Sequence, residues 1–307
     1  MLLLMLALSL VLAGCGGNTS SRPPTTGAPT TSASPASPAP APPADQCGAP
    51  ATPAQSFWLP TPAGAQLQAA MVGNGPDTAV FVHESGNRGL CGFWPYADWL
   101  AKAKGVRSVL VNQCGYGASE CPAGEETGQW LAATTAAVGW ARTHGARQVT
   151  LVGASAGGIV ALQAAASIRP RVDAVVDLSG ERRWKELDSL AAAQLLRVPA
   201  LFAVAPGDSY VSVGTMRRLY QVTPVRSKRL VVLAEGAGHG WELLGGTPGT
   251  DWSALAGTVA AWIQGRHRGP GRPMVRLGAS SITRASAPVQ LMVAGYTRVW
   301  VRCLSRS

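Results

Sequence analysis

The 307-residue chain has little charge and little histidine. Charged side chains make up 14% of it, and arginine far outnumbers lysine. The four histidines stand at positions 83, 144, 239 and 267, so chemistry that needs an imidazole has few residues to draw on. Six cysteines occur, with no C-x-x-C pair and no Cys/His spacing of the zinc-binding kind, so no metal site is expected. No internal repeat is evident. The apolar run at residues 1–13 falls short of the roughly 20 residues that a permanent transmembrane helix needs.

A formal net charge of +10 suggests nucleic acid as a partner, but the charge is unevenly placed. Residues 266–307 hold eight arginines and no acidic side chain, which leaves 18 basic against 16 acidic residues in the rest, or +2. The body of the protein is nearly neutral, so no nucleic-acid partner is expected. A hydrophobic content of 47% suffices for one large α/β domain or two small ones.

The most informative stretch is QVTLVGASAGGIVALQAAA, residues 148–166. It reads as a strand at 149–152, a tight turn from Gly153 to Gly157, and an alanine-rich helix through Ala165. A serine at so sharp a strand-to-helix turn is crowded from two positions before and two after, where Gly153 and Gly157 lack side chains. Its hydroxyl then projects above the sheet at a helix N-terminus, where developing negative charge is favoured.

Around this stretch, apolar runs alternate with helical spacings. Strands are expected at 56–59, 66–72, 78–83, 106–112, 172–178, 198–204 and 229–234, and helices at 94–104, 127–144, 184–196, 211–220 and 252–264. Strands alternating with helices predict an α/β fold with a mostly parallel sheet covered on both faces.

Three blocks, FVHESG, NQCGYGAS and VGASAGG, carry a resemblance to the α/β-hydrolase family over residues 56–265, nearest in character to lipoprotein hydrolases and dienelactone-hydrolase-like esterases. Asn112 stands where the family's D-x-x-G-x-G-x-S turn has aspartate. The 29 residues between the helix after Ser155 and the strand at 198, Arg169 to Arg197, leave little room for a lid domain. The resemblance implies a serine hydrolase with Ser155 as nucleophile and triad members in the order Ser, Asp or Glu, His. His239, in the glycine-rich loop after the last expected strand, fills the histidine position, with His83 bracing an earlier loop and His144 capping a helix. The acid is Asp208, after the strand at 198–204, with Asp177 as its rival. The oxyanion donors are the backbone N–H of Ala156 and, by resemblance to the family's His-Gly-x turn, that of Ser85, although Glu84 replaces the usual glycine. No cofactor is implied. Trp241 is the leading candidate to line a pocket, with Trp94 second.

At the N-terminus, Leu12-Ala13-Gly14-Cys15 closes the apolar run and resembles a bacterial lipobox, which implies a lipidated Cys15 and an extracytoplasmic, membrane-anchored protein. No Lys or Arg precedes the run, a departure from the usual signal peptide. The expected organisation is a signal peptide at 1–15, a disordered Pro/Ser/Thr/Ala tether at 16–46, a monomeric hydrolase domain at 47–265 and a disordered basic tail at 266–307. Export favours disulfides among Cys47, Cys91, Cys114 and Cys121, in any of three connectivities, a link from Cys91 to Cys114 or Cys121 being one that pins the site loops. The substrate is a small ester or acyl compound. An acyltransferase using the same triad and a non-catalytic binding lipoprotein are the alternatives.

Overall fold

The computed structural model describes residues 38–48, 53–124, 126–246, 251–267 and 275–276. The chain divides into Met1–Pro38 and Ala39–Ser307, and the fold lies in the second unit. Cys15 and most of the tether, together with the tail beyond residue 267 apart from 275–276, lie outside the described residues.

Among the described residues, nine strands form one sheet in the order β1-β2-β4-β3-β5-β6-β9-β10-β11. They are β1 (Ala54–Pro60), β2 (Gln66–Val72), β3 (Asp77–Val82), β4 (Arg107–Val111), β5 (Gln148–Ala154), β6 (Ala174–Leu178), β9 (Ala200–Val204), β10 (Lys228–Val232) and β11 (Val275–Arg276). The first two pairings, β1 with β2 and β2 with β4, are antiparallel, and the rest are parallel. Central strands such as β6 (AVVDL) and β9 (ALFAV) are buried at every position, so their sequences do not alternate; β9 is apolar throughout and β6 is apolar but for the buried Asp177.

Helices α2 (Trp94–Lys104), α3 (Glu126–Thr143), α4 (Ala156–Ser167), α5 (Ser189–Leu195), α6 (Val213–Val222) and α7 (Ala254–Ile263) cover both faces. One core packs α3 to α6 on the sheet through Trp130, Val160, Ala193 and Met216. The other packs α2 and α7 through Trp94, Leu100, Leu255 and Val259. This is the α/β-hydrolase arrangement, and no large lid is inserted between α4 and β9.

Three local features differ from the sequence reading. The single helix expected at 184–196 is a hairpin, β7 (Arg183–Trp184) with β8 (Leu187–Asp188), followed by the shorter α5. Lys185 sits at φ +50°, which no helix accommodates, and the Asp188 carboxylate accepts the N–H groups of Leu190 and Ala191, so the helix starts only at Ser189. A short helix, α1 (Pro43–Cys47), begins inside the stretch assigned to the tether; Pro43 is buried and the Ser56 hydroxyl donates to Ala41 O. In the segment assigned to the tail, Val275 and Arg276 pair with Val231 and Val232 and extend the sheet edge by two residues.

The cysteines pair as Cys47–Cys91 and Cys114–Cys121. A link from Cys91 to Cys114 or Cys121 does not form, because α1 brings Cys47 to a Cα separation of 5.2 Å from Cys91. The two bridges close loops of very different length, with sequence separations of 44 and 7. Loop-closure entropy then gives about 4 kcal/mol for the first and about 2.5 kcal/mol for the second. Guanidinium unfolding of C47S/C91S should therefore show a larger loss of stability than C114S/C121S; the reverse order would mean that α1 is not held to the folded domain.

Candidate active site

The carboxyl ends of β3, β5, β6, β9 and β10 carry the residues of interest, as is usual for open α/β sheets. Ser155 follows β5 at φ 52° and ψ −123°, a conformation that is strained for a residue with a Cβ. The strain comes from packing. A Cβ at Gly157 would lie 2.1 Å from Val82 O, and one at Gly153 would lie 2.1 Å from Gly157 O. The chain can enter α4 that close to β3 only with glycine at both positions. Ser155 is 5% exposed. Ala156 is the first residue of α4, so its N–H lies outside the helical ladder.

Asp208 and His239 come together across two loops. His239 Nδ1 lies 2.8 Å from Asp208 Oδ2 and 3.0 Å from Oδ1, so an Nδ1–H donates to the carboxylate. The Asp208 side chain has no exposed surface, and that of His239 is 15% exposed. Oδ1 also accepts the N–H groups of Tyr210 and Val211. Burial pushes this carboxyl up, but the hydrogen bonds from His239, Tyr210 and Val211 outweigh it and hold the carboxyl below its ordinary value. The His239 loop is itself fixed, since its N–H donates to Glu242 Oε2.

A Cβ on Gly240 would lie 3.3 Å from the Ala154 Cβ, so the loop carrying His239 passes beside the end of β5, next to Ser155. Even so, the Ser155 hydroxyl donates to Glu181 Oε1 at 3.3 Å, and among the described residues His239 is not a hydrogen-bond partner of Ser155. The sequence reading missed Glu181, which follows β6 on a turn that no motif marks. It also missed Tyr210, 72% exposed, whose ring lies 4.7 Å from that of His239.

Asp177 is brought elsewhere. It is fully buried, its Oδ1 accepts Gly180 N–H at 2.7 Å, and its Oδ2 has no partner. Burial raises its carboxyl to about 7, partly countered by the Gly180 bond. It makes no contact with His239 of the kind Asp208 makes.

The loop after β3 is braced from below. His83 is buried; its Nδ1–H donates to Glu84 O at 2.6 Å and its Nε2 accepts Gln113 N–H at 3.0 Å. Burial lowers it to about 4, against the pull of the Glu84 carbonyl, so it stays neutral. Ser85 is exposed and its carbonyl accepts the Tyr116 hydroxyl at 2.7 Å. Glu84 Oε1 accepts Trp241 N–H at 3.2 Å, and a Cβ on Gly240 would lie 1.9 Å from that oxygen. Burial raises Glu84 to about 7, against the Trp241 hydrogen bond and the field of His239. Asn112 accepts from Leu90 N–H and donates to Gln68 Oε1, two roles that an ionised aspartate could not both fill.

Trp241 lines a cleft of about 80 Å³ with Arg88, Tyr96 and Trp252. Trp94, the first residue of α2, is fully buried in the core and is not among the residues lining that cleft. A larger hollow of about 510 Å³ lies against β1, β2 and α2 and shares none of the residues above. No cluster of metal-ligating side chains occurs among the described residues.

A family model described as alpha/beta hydrolase fold matches residues 79–216. Among solved structures, an esterase of Pyrococcus furiosus, Pf2001, is similar at 14% identity over 73% of this chain and 93% of its own, with a TM-score of 0.60. A Xanthomonas campestris protein described as an α/β serine hydrolase without lid is similar at 20% identity over 73% of this chain and 100% of its own, with a TM-score of 0.53. A thermophilic esterase of Thermogutta terrifontis gives 14% identity, 70% and 100% coverage and a TM-score of 0.57.

The buried Asp177 provides a test by pH. Its carboxyl is raised when folded, so the native state holds a proton that the unfolded chain releases. The contribution of Asp177 to stability should therefore fall as pH rises from about 4 to about 7 and level off above, against the opposite contribution of buried His83, which the Asp177→Asn comparison cancels. Asp177→Asn should be nearly neutral in urea unfolding at pH 5 and more stable than wild type by about 2–4 kcal/mol at pH 8. Parallel stability curves for the two proteins would contradict this.

Proposed function

We propose that the protein is an extracytoplasmic serine hydrolase, held at the membrane by lipid on Cys15, that cleaves small esters or related acyl bonds. The observation that carries this reading is the 2.8 Å pairing of a buried Asp208 carboxylate with His239 beside a strained serine elbow. In the resting geometry the Ser155 hydroxyl faces Glu181. The reading requires rotation about its χ1 to bring it to His239, and catalytic hydrogen bonds are commonly loose until substrate is present.

His239 Nε2 takes the hydroxyl proton as Ser155 Oγ bonds to the substrate carbonyl carbon. Asp208 holds the proton on Nδ1, which leaves Nε2 as the base, and stabilises the imidazolium that forms. The carbonyl oxygen becomes an oxyanion at the N-terminus of α4, where Ala156 N–H and Ser85 N–H are the proposed donors, each worth about 3 kcal/mol in the transition state. His239 returns its proton to the leaving alkoxide. Water then loses a proton to His239, attacks the acyl-serine and releases the acid, restoring Ser155. The absence of a large lid leaves water access to the acyl-enzyme, which favours hydrolysis over transfer to another alcohol or amine.

Ser155→Ala should abolish both fluorophosphonate labelling and turnover of p-nitrophenyl esters without unfolding the protein, and Asp208→Asn should lower turnover about 10⁴-fold. Labelling that survives in folded S155A would remove the nucleophile assignment. The non-catalytic alternative instead requires that the wild type neither labels nor turns over.

Anchoring is proposed from the lipobox-like Leu12-Ala13-Gly14-Cys15. A single acyl chain binds a bilayer only marginally, so stable anchoring requires a diacylglyceryl-type modification. Wild-type protein expressed in an exporting bacterium should pellet with membranes, and Cys15→Ala should move to the soluble fraction. A C15A protein that still pellets would show that lipid on Cys15 is not the anchor.

A further inference from the structure

The hydrogen bond from the Ser155 hydroxyl to Glu181 has no role in the triad chemistry described above, yet Glu181 is firmly held. Its carbonyl accepts the hydroxyl of buried Ser189 at the start of α5, and the preceding Gly180 N–H is tied to Asp177 Oδ1. The cations that follow it in sequence are turned away. Arg182 and Arg183 both pair with Asp188, at 2.5 and 3.4 Å. Among the described residues no Lys, Arg or His forms an ion pair with Glu181, and Ser155 Oγ is the one hydrogen-bond donor to its carboxylate. A half-buried carboxylate without a cation thus lies 3.3 Å from the oxygen assigned as nucleophile.

We propose that Glu181 is the counter-ion for an ammonium group on the acyl side of the substrate, and that the site takes esters or amides of α-amino acids with a free amine. This rests on the reading of Ser155 as nucleophile. The geometry selects the α position. In an α-amino acid the nitrogen is two bonds from the carbonyl carbon, about 2.5 Å away from it. When Ser155 Oγ approaches that carbon, the α-nitrogen falls within hydrogen-bond reach of a carboxylate that already touches Oγ. An amine several bonds further out does not stay there, and an acyl group carrying a carboxylate is repelled.

The same contact links recognition to activation. An ammonium donates a charge-assisted hydrogen bond to Glu181, stronger than the one from a neutral hydroxyl. It therefore displaces the Ser155 hydroxyl, which is then free to turn to His239. A neutral substrate has no group to do this, so part of the enzyme keeps its nucleophile held by Glu181.

The test compares L-alanine methyl ester with methyl isobutyrate, in which a methyl group replaces the ammonium, in a pH-stat at pH 6.5, where the amine is protonated. Wild type should prefer the alanine ester by about tenfold or more in kcat/KM. Glu181→Gln should lower the kcat/KM ratio of the alanine ester over methyl isobutyrate about tenfold or more, while Glu181→Asp should keep part of the preference. Equal kcat/KM on the two esters in wild type, or an equal drop on both in E181Q, would overturn the proposal. Fluorophosphonate labelling of the same preparations separates the two claims. Labelled enzyme without ammonium preference overturns the specificity alone, whereas a folded wild type that does not label removes the nucleophile and this proposal with it.

Discussion

The first turn of α4 lies so close to the end of β3 and to β5 that Gly157, against Val82 O, and Gly153, against Gly157 O, have no room for a Cβ. Most of what is distinctive in the molecule depends on that approach. It forces Ser155 into a left-handed conformation at φ 52°, strain of about 1–3 kcal/mol that the surrounding core must offset. It lifts the hydroxyl out of the sheet and leaves Ala156 N–H free at the head of a helix. The strands on either side, buried at nearly every position, supply the rigidity that maintains the strain.

A second close approach joins the loop after β3 to the loop after β10. The Glu84 carboxyl lies against Gly240, where a Cβ would overlap it, and accepts Trp241 N–H. This gives a physical account of a glutamate at this position: side-chain bulk sits on one loop and is absent from the other. Neutral His83 beneath Glu84 ties the same loop to Gln113, the Tyr116 hydroxyl donates to Ser85 O, and the His239 N–H donates to Glu242 within its own loop. Burial raises Glu84 to about 7, which limits the negative charge beside His239 at neutral pH.

Legibility in the sequence followed the range of the interactions. Strands β2 and β3, helix α2 and the elbow were readable because each is specified by its own residues: an apolar run, a helical spacing closed by Gly105, glycines two positions on each side of a serine. The pairing of Asp208 with His239 followed from their places after consecutive strands. What could not be read depends on contacts across the fold. Nothing local marks the Lys185 turn that splits the expected helix, and a proline-rich stretch gave no sign that Pro43 to Cys47 docks and pairs with Cys91. Glu181 is the clearest case. Its neighbours in sequence are charged and unremarkable, and its place beside Ser155 arises only because β6 lies next to β5, with Gly153 opposite Asp177.

The central claim is that Ser155 is the acylated residue, and peptide mapping of the covalent adduct tests it most directly. The full-length protein is treated with a fluorophosphonate, digested, and sequenced by tandem mass spectrometry. The expected result is one phosphonyl mass increment, localised to Ser155 in the peptide spanning β5 and α4. An increment on another serine, or an unmodified Ser155 in folded protein after prolonged exposure, would contradict the assignment.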